Sequence, residues 1–586
     1  MSTETGDRIT RVYANFRGVD FRGEEINIIR SPDSLNVWKD YKETESIRTR
    51  PSMKLSMSFN APVYGIFFYK NMQLVHSGTK LYKVINGAKT EIYSGLKEAV
   101  SNAFVYEDVW YFKDGKHYLQ YDGVTIKDVE GYVPTTTIGR KAVMQTVSAG
   151  SGGTIHEDVN ILSDRRINTF IGGGVTLSKY FLDAQNIDKD FVPIVKIDGK
   201  VLEYKEYDKI DTNGEYIKVY PYTVDYAAGS IIFDSSYVPK EPATEGQDNV
   251  SIEFKKAVDG YRTKILNCTL LQVFDNRVFF SGNPDYPNTV WHCSLDDPSY
   301  CSDLDYYHEG LDKAAIKGLV AGNNVLWVFR EPSQANTTVF YHSPTIDAEH
   351  GKIYPSQHSS VTIGCTGKAI NFNDDIIFFS ERGMEGISGD ITTEQVVAHR
   401  SSLVDRKLIA EKDYENMILE EWEGYLFVFI GNRAYLADSR TAFTNENHIE
   451  YDWFYWQMER PITSTCVYGG VMYLGTEDGV YTLSDFDCDI ESYWVTPKDK
   501  FKAPNKQKTT NKRGCVVEAT GDISVFAKIE DTDFELIGEY ENITDYIACR
   551  IKRKKFKDLQ LKFYSKKRFS LETATLEVFV GGYIKR

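Results

Sequence analysis

Apolar and polar residues alternate with a period of two over short runs of this chain, and the runs come in pairs around two or three polar residues, the pattern of half-buried β-hairpins. The pairs are IFFYKNMQLVHSGTKLYKV from Ile66, FVYEDVWYFKDGKHYLQY from Phe104, LQVFDNRVFFSG from Leu271, LVAGNNVLWVFRE from Leu319, INFNDDIIFFSERGMEGIS from Ile370, LEEWEGYLFVFIGNRAYLAD from Leu419 and VYGGVMYLGTEDGVYTLSD from Val467. The turns fall at Lys70-Asn71, Glu107-Asp108, Asp275-Asn276, Asn323-Asn324, Asp374-Asp375, Glu423-Gly424 and Gly469-Gly470, residue types that tolerate tight or left-handed backbone. Successive copies start 38, 167, 48, 51, 49 and 48 residues apart, and excising residues 140–260 brings the long interval to 46. A period of roughly 40–50 residues with four short strands per unit marks a β-propeller. The expected fold is therefore all-β: a propeller of about seven blades, with residues 1–60 an N-terminal arm that lends a strand to the last blade and so closes the ring without an open edge. Residues 61–139 and 261–495 carry the blades.

Two segments stand outside the repeat. Residues 140–260 read strand, turn, strand throughout, with Ile197-Asp198-Gly199-Lys200 as one hairpin turn, and predict an inserted β-sandwich. The Lys- and Pro-rich stretch VTPKDKFKAPNKQKTTNKRG predicts an extended linker. Beyond it, period-two runs such as Leu559, Leu561 and Phe563 predict a C-terminal sandwich or jelly roll within 496–586.

Composition supports strands, with 39 Tyr and 32 Phe. Charge divides the chain: the net value is −16, yet from Thr496 onward Lys and Arg outnumber Asp and Glu by seven, so an acidic body precedes a basic C-terminal piece with different partners. No run approaches the roughly 18 apolar residues of a membrane span, and MSTETGDRIT lacks the basic and apolar regions of a signal peptide. The eight cysteines are scattered without metal-ligand spacing, which predicts buried reduced thiols.

Searches for chemistry return little. There is no G-x-S-x-G, H-E-x-x-H or G-x-x-x-x-G-K-[ST]; the run Ile171-Gly172-Gly173-Gly174-Val175 is read as a flexible connection. His76, His117 and His292 sit on or beside predicted strands and are read as packed or surface residues. A glycosidase needs two carboxylates about 5–10 Å apart, which sequence cannot select among so many. No catalytic, cofactor-binding or metal-binding residues are assigned, and no enzymatic activity is expected. The basic run Arg550-Ile-Lys-Arg-Lys-Lys-Phe-Lys557 holds Lys552, Arg553, Lys554 and Lys555, and docking onto an acidic neighbouring subunit is favoured for it over binding phosphates, because the flanking aromatics alternate as core.

The N-terminal stretch then becomes informative. Ser31-Pro32-Asp33-Ser34-Leu35-Asn36-Val37, followed by Ile47-Arg48-Thr49-Arg50-Pro51, resembles the start of tailed-bacteriophage virion proteins, the tail nozzle and packaged-DNA stabilisation family. Ser52 departs from that pattern, which has Gly after Arg-x-Arg-Pro. The resemblance implies a structural protein of the virion tail, made in the bacterial cytoplasm. Copies, six in the family, form a ring below the portal and adaptor that retains packaged DNA and conducts it at ejection. An acid-rich lumen would repel the phosphate backbone and let DNA slide. Arg30, Trp38, Arg48 and Arg50 join Lys552, Arg553, Lys554 and Lys555 as candidate subunit-docking residues. The competing expectation is a propeller-type glycan-binding or glycan-degrading tail protein.

Overall fold

The computed structural model describes residues 8–40, 43–141, 156–174, 178–244, 246–334, 337–348, 351–388, 396–445, 448–484, 489–552 and 555–583. The protein is all-β, with helix confined among these residues to turns such as Thr263–Leu266 and Asp405–Leu408. No described helix is long and apolar enough to cross a membrane. Among the described residues seven four-stranded sheets recur, at 63–94, 102–128, 270–308, 316–358, 369–399, 418–457 and 464–484, the last taking its fourth strand from Ser52–Ser58.

The hairpins form where they do because of their turns. Both central residues have positive φ at Lys70-Asn71, Glu107-Asp108, Asp275-Asn276, Asn323-Asn324, Glu423-Gly424 and Gly469-Gly470, the twist-matching two-residue turn of an antiparallel pair. In the fifth sheet the turn is Asn373-Asp374, one residue earlier than expected. Asp375 instead starts the next strand, where its buried carboxylate accepts hydrogen bonds from Arg400 Nε (2.8 Å), Arg400 Nη2 (2.9 Å) and Tyr451 Oη (2.8 Å).

The chain divides into two units. In the unit of residues 1–103 and 310–586, five of the sheets stack in series through their first strands, Ile316–Gly322 on Ala369–Phe372, then Ile418–Trp422, then Ser464–Tyr468, then Val63–Tyr69. Their second strands, VLWVFR, DIIFFS and YLFVFI, are buried along their whole length, since a sheet face covered on both sides selects continuous apolar runs over alternation. Between the last sheet and the first, Phe68 stacks on Tyr468 at 4.0 Å, and Thr463 Oγ1 and Ser464 Oγ donate to Val63 O at 2.6 and 2.8 Å.

The same unit holds a ten-stranded sheet that crosses the expected division at residue 496. To the C-terminal strands it adds Ser492–Val495 and four from the arm: β1 (Arg8–Tyr13), β2 (Ser34–Leu35), β3 (Val37–Asp40) and β4 (Glu43–Thr49). The strand after them, β5 (Ser52–Ser58), is the one that joins the last four-stranded sheet, antiparallel to Gly479–Ser484. The expected linker is ordered: its start packs into the core and its end is the beginning of strand Lys506–Ile529. Phe501 is fully buried, and Asp499 accepts from Arg11 Nε (2.5 Å), Arg11 Nη2 (3.1 Å), Tyr13 Oη (3.1 Å) and the Phe501 amide (2.6 Å). Four donors on one carboxylate fix a stretch whose lysines and prolines read as unstructured.

The other unit, residues 104–309, holds the sheet at 102–128 from its third residue onward and the sheet at 270–308, whose shared apolar cluster includes Tyr118 edge-on to Phe280 at 5.5 Å. Between them in sequence lie a five-stranded sheet (Thr135–Lys141, Arg165–Ile171, Val250–Lys255, Ile194–Ile197, Lys200–Val201) and a three-stranded one (Lys179–Phe181, Ser230–Phe233, Tyr222–Asp225) packed on one core around Phe170, Val195, Ile231 and Phe254. The hairpin Tyr207–Ile210 with Tyr216–Val219 stands beside them. The glycine run expected to be a flexible connection is packed at Gly172, where a Cβ would lie 2.1 Å from Lys240 O; Val175 lies outside the described residues.

Candidate functional site: the N-terminal seam and the basic C-terminal strands

The residues that carry the family resemblance converge on Asn36. Its backbone takes φ +54°, a left-handed conformation open to Asn, and this aims the amide inward. Oδ1 accepts from Arg50 Nε (3.0 Å) and the Gln457 amide (2.8 Å), while Nδ2 donates to Glu491 O (2.8 Å). The Asn36 amide donates to Tyr455 O (3.0 Å), and its carbonyl accepts from the Arg50 amide (2.9 Å). Ser31 Oγ donates to Val495 O at 2.7 Å, and Asp33 accepts from Tyr493 Oη at 3.2 Å. The motif thus stitches the arm to the sixth four-stranded sheet and to the ten-stranded sheet.

Arg50 is 1 % exposed. Nη1 donates to Pro51 O (2.8 Å) and Nη2 to Gln457 O (2.9 Å), with Glu459 at 3.1 Å. Arg30 is also buried, paired with Asp452 at 2.9 Å and donating to Arg17 O at 3.1 Å. Trp38 is enclosed by aromatic rings, stacked on Trp422 at 5.8 Å and packed against Tyr425 (5.5 Å) and Trp456 (5.3 Å). Arg48 pairs with Asp40 from a half-buried position. Of the candidate docking residues, then, Arg30, Trp38 and Arg50 are engaged inside their own chain. Burial takes Trp38 and Arg50 off the surface, and Arg30, held by Asp452, reaches solvent only at the wall of a cleft.

The basic C-terminal residues divide differently. Lys552 and Lys555 are exposed, whereas Arg553 and Lys554 lie outside the described residues. Three other lysines clasp acids, two of them on the arm: Lys500 to Glu25 (2.5 Å), Lys528 to Glu24 (3.4 Å), and Lys498 to Asp531 (2.9 Å). Next to them opens a cleft of about 830 Å³ lined by Asp20, Arg22, Glu24, Glu25, Arg30, Glu450 and Lys498, with Arg22 paired to Asp20 at 2.7 Å. Lys508 is buried with Nζ donating to Ala503 O and Lys557 O at 2.5 and 2.6 Å, and burial lowers its pKa.

One histidine cluster has titratable chemistry. His399 Nε2 meets Asp405 Oδ2 at 2.6 Å and Nδ1 meets Glu385 Oε1 at 3.1 Å, and hydrogen bonds to Asp405 and then Glu385 raise its pKa to about 9. Ser401 Oγ donates to Asp405 Oδ1 (2.6 Å), so the hydroxyl faces a carboxylate and not the imidazole, which is no nucleophile–base pair. His76 is buried between Ser101 Oγ and Gly78 O, both at 3.0 Å; His117 pairs with Asp114 at 2.9 Å; His292 is buried against Cys293 O at 3.0 Å. Among the described residues no group of three or more His, Cys, Asp or Glu is placed to hold a metal ion.

Asn36, Asp452 and Asp499 are the hubs that sequence reasoning passed over. Asn36 stood inside the quoted motif, and its being Asn between Leu and Val was the available signal. Asp499 carried none, flanked as it is by Lys498 and Lys500.

No family model matches the chain, and no curated protein matches it. Among solved structures, BamB from Moraxella catarrhalis is 11% identical with a TM-score of 0.33, covering 74% of this chain and 98% of that one. The computationally designed Ika8 protein is 10% identical with a TM-score of 0.31, covering 74% and 99%. Likenesses this slight carry no argument about function.

Proposed function

We propose that this chain is a structural subunit of a tailed-bacteriophage virion, nozzle-like or head-closure-like. It assembles with portal, adaptor and other tail proteins as a ring, six copies by the family resemblance, that retains packaged DNA and conducts it at ejection. In this reading the seven four-stranded sheets are the blades of one propeller from which the 140–260 domain projects. The observation that supports it is the task of the segment bearing the resemblance: Ser31, Asn36 and Arg50 make hydrogen bonds to the backbone of Val495, Glu491 and Gln457. That segment fastens sheets together, as a load-transmitting part requires. The exposed Lys552 and Lys555 then face the next copy's acidic body, since complementary charge sets register and partner choice.

Negative-stain imaging and mass photometry of the purified protein, alone and with its portal and adaptor, test the reading. Closed rings are expected. Charge reversal at Lys552, Lys554 and Lys555 should disperse them while circular dichroism still reports a folded chain. A monomer that cleaves glycans would instead establish the glycan-degrading alternative.

A further inference from the structure

Strand register sets Cys515 directly opposite Cys549 on the antiparallel strands Lys506–Ile529 and Tyr546–Cys549. Opposed residues of such a pair hold their Cα atoms roughly 4.5–5.5 Å apart with side chains on one face, within the roughly 4.4–6.8 Å that a disulfide spans. Both are free thiols, fully buried in the same apolar cluster. Cys268, Cys293 and Cys301 also share a cluster, but strand register does not oppose them, and the partner opposite Cys466 is Tyr473.

The location matters. Tyr546–Cys549 is a four-residue strand attached to the ten-stranded sheet through Lys506–Ile529, and the basic run begins at the next residue, Arg550. Its other end is pinned by Phe556, buried and exchanging backbone hydrogen bonds with Lys508 at 2.8 and 2.9 Å. The cysteine pair therefore stands at the base of the segment that carries the exposed Arg550, Lys552, Lys555 and Lys557.

We propose that Cys515 and Cys549 are a latent cross-strand disulfide, closed by a small-molecule disulfide such as oxidised glutathione, that clamps the entrance of the basic run. This rests on register and burial and is independent of the virion reading. Cys549 loses its proton, and the thiolate attacks one glutathione sulfur. The bond between the two glutathione sulfurs breaks, and one glutathione leaves as a thiolate that is then protonated. The Cys515 thiolate next attacks the Cys549 sulfur and releases the second glutathione. Two protein thiols are oxidised and one disulfide is reduced to two thiols. Burial pushes the Cys549 thiol up to about 11 and raises Cys515 further, so thiolate is scarce while the sheet is closed. Reaction waits on opening of the short strand and accelerates with pH.

The full-length protein is incubated with oxidised glutathione near pH 8, trapped with N-ethylmaleimide, digested and analysed by mass spectrometry. The expected product is a peptide linking Cys515 to Cys549, lighter by two hydrogens and reversed by reductant. Trypsin cleavage after Arg550 and Lys552 should slow several-fold on oxidation in the wild type but not in Cys515→Ser or Cys549→Ser. Protein unfolded in guanidinium before oxidation should lose the preference for this pairing, which controls for scrambling and does not depend on either variant folding. Native protein that keeps both residues alkylated after exhaustive oxidation, carries separate glutathione adducts on each, or links Cys515 equally to other cysteines would overturn the proposal.

Discussion

Replacing Arg50 by Met isolates the seam. The substitution keeps an unbranched apolar stem against Trp456, whose ring centroid lies 6.0 Å from the guanidinium carbon, and removes only the charged fork. Asn36 Oδ1 still accepts from the Gln457 amide, so that group loses one of two partners. Pro51 O, on a buried residue, and Gln457 O, on an exposed one, lose the guanidinium donors; an orphaned buried acceptor costs about 1–3 kcal/mol, and water can replace the donor at Gln457. The Glu459 pair adds little, since that carboxylate is 41 % exposed and such pairs contribute under about 1 kcal/mol. The expected loss is about 2–3 kcal/mol. Arg50→Lys, with one nitrogen where three acceptors diverge, should recover about half of it. Arg48→Met, which breaks a half-buried pair with Asp40, should cost no more than about 1 kcal/mol. Native-state hydrogen exchange at the amides of Arg50 and Gln457 reads the effect directly, as both donate to Asn36. A 3 kcal/mol loss accelerates exchange by about 10²-fold if those amides exchange through opening of the seam. Equal acceleration in Arg48→Met, or less than about tenfold in Arg50→Met, would refute the assignment of the motif's second arginine as the interior tie.

Two further outcomes follow. The pKa of His399, about 9 in the folded chain against roughly 6.5 unfolded, means that its protonated clasp of Asp405 and Glu385 contributes fully below about pH 6.5 and is lost as pH rises through 9. With discount for the partly exposed ring this is about 1–2 kcal/mol, so melting midpoints should fall as pH rises from about 6.5 to about 9 in the wild type and fall less in His399→Gln; parallel profiles would argue against it. Gly18 has φ +75°, and a Cβ there would lie 2.0 Å from Trp453 O. Gly18→Ala should therefore lift the arm off the strand His448–Gln457, which limited trypsin digestion would detect as faster cleavage after Arg17 and Arg22; unchanged cleavage would mean the backbone yields without cost.

What could be read from the sequence was what neighbours in sequence decide. A hairpin turn needs two residues that accept positive φ, and Asn, Asp and Gly advertise it, so six of the seven turns were placed to the residue. The seventh slipped because Asn373, Asp374 and Asp375 are all turn formers, and only the distant Arg400 and Tyr451 decide which acid is buried. The same limit governs the seam. Arg50 and Asn36 are fourteen residues apart, but Gln457 and Glu491 are more than four hundred away, and nothing local marks an arginine whose acceptors are so remote.

That difference explains why docking was the natural expectation for Arg30, Arg48 and Arg50, and why the structure divides them. A cation in a charged, proline-punctuated stretch has the composition of a surface, and Arg48, half-buried against Asp40 between the buried Ile47 and Thr49, comes nearest to that description. A buried guanidinium is stable only when its donors are matched, and the match for Arg50 is made of backbone carbonyls, which every sequence possesses and none displays. The acidic strand holding Asp452 supplies the other half of the logic. Arg17 and Arg30 both close on that one carboxylate, at 2.8 and 2.9 Å, so part of the acid excess of the body is consumed in holding its own arm. In the ring proposed above, attraction between copies would come from charges left exposed, such as Lys552 and Lys555 in the segment that the Cys515–Cys549 pair would clamp. An assembly contact placed there can be altered by charge reversal without loosening the arm, whereas mutation of Arg30 or Arg50 would confound assembly with folding.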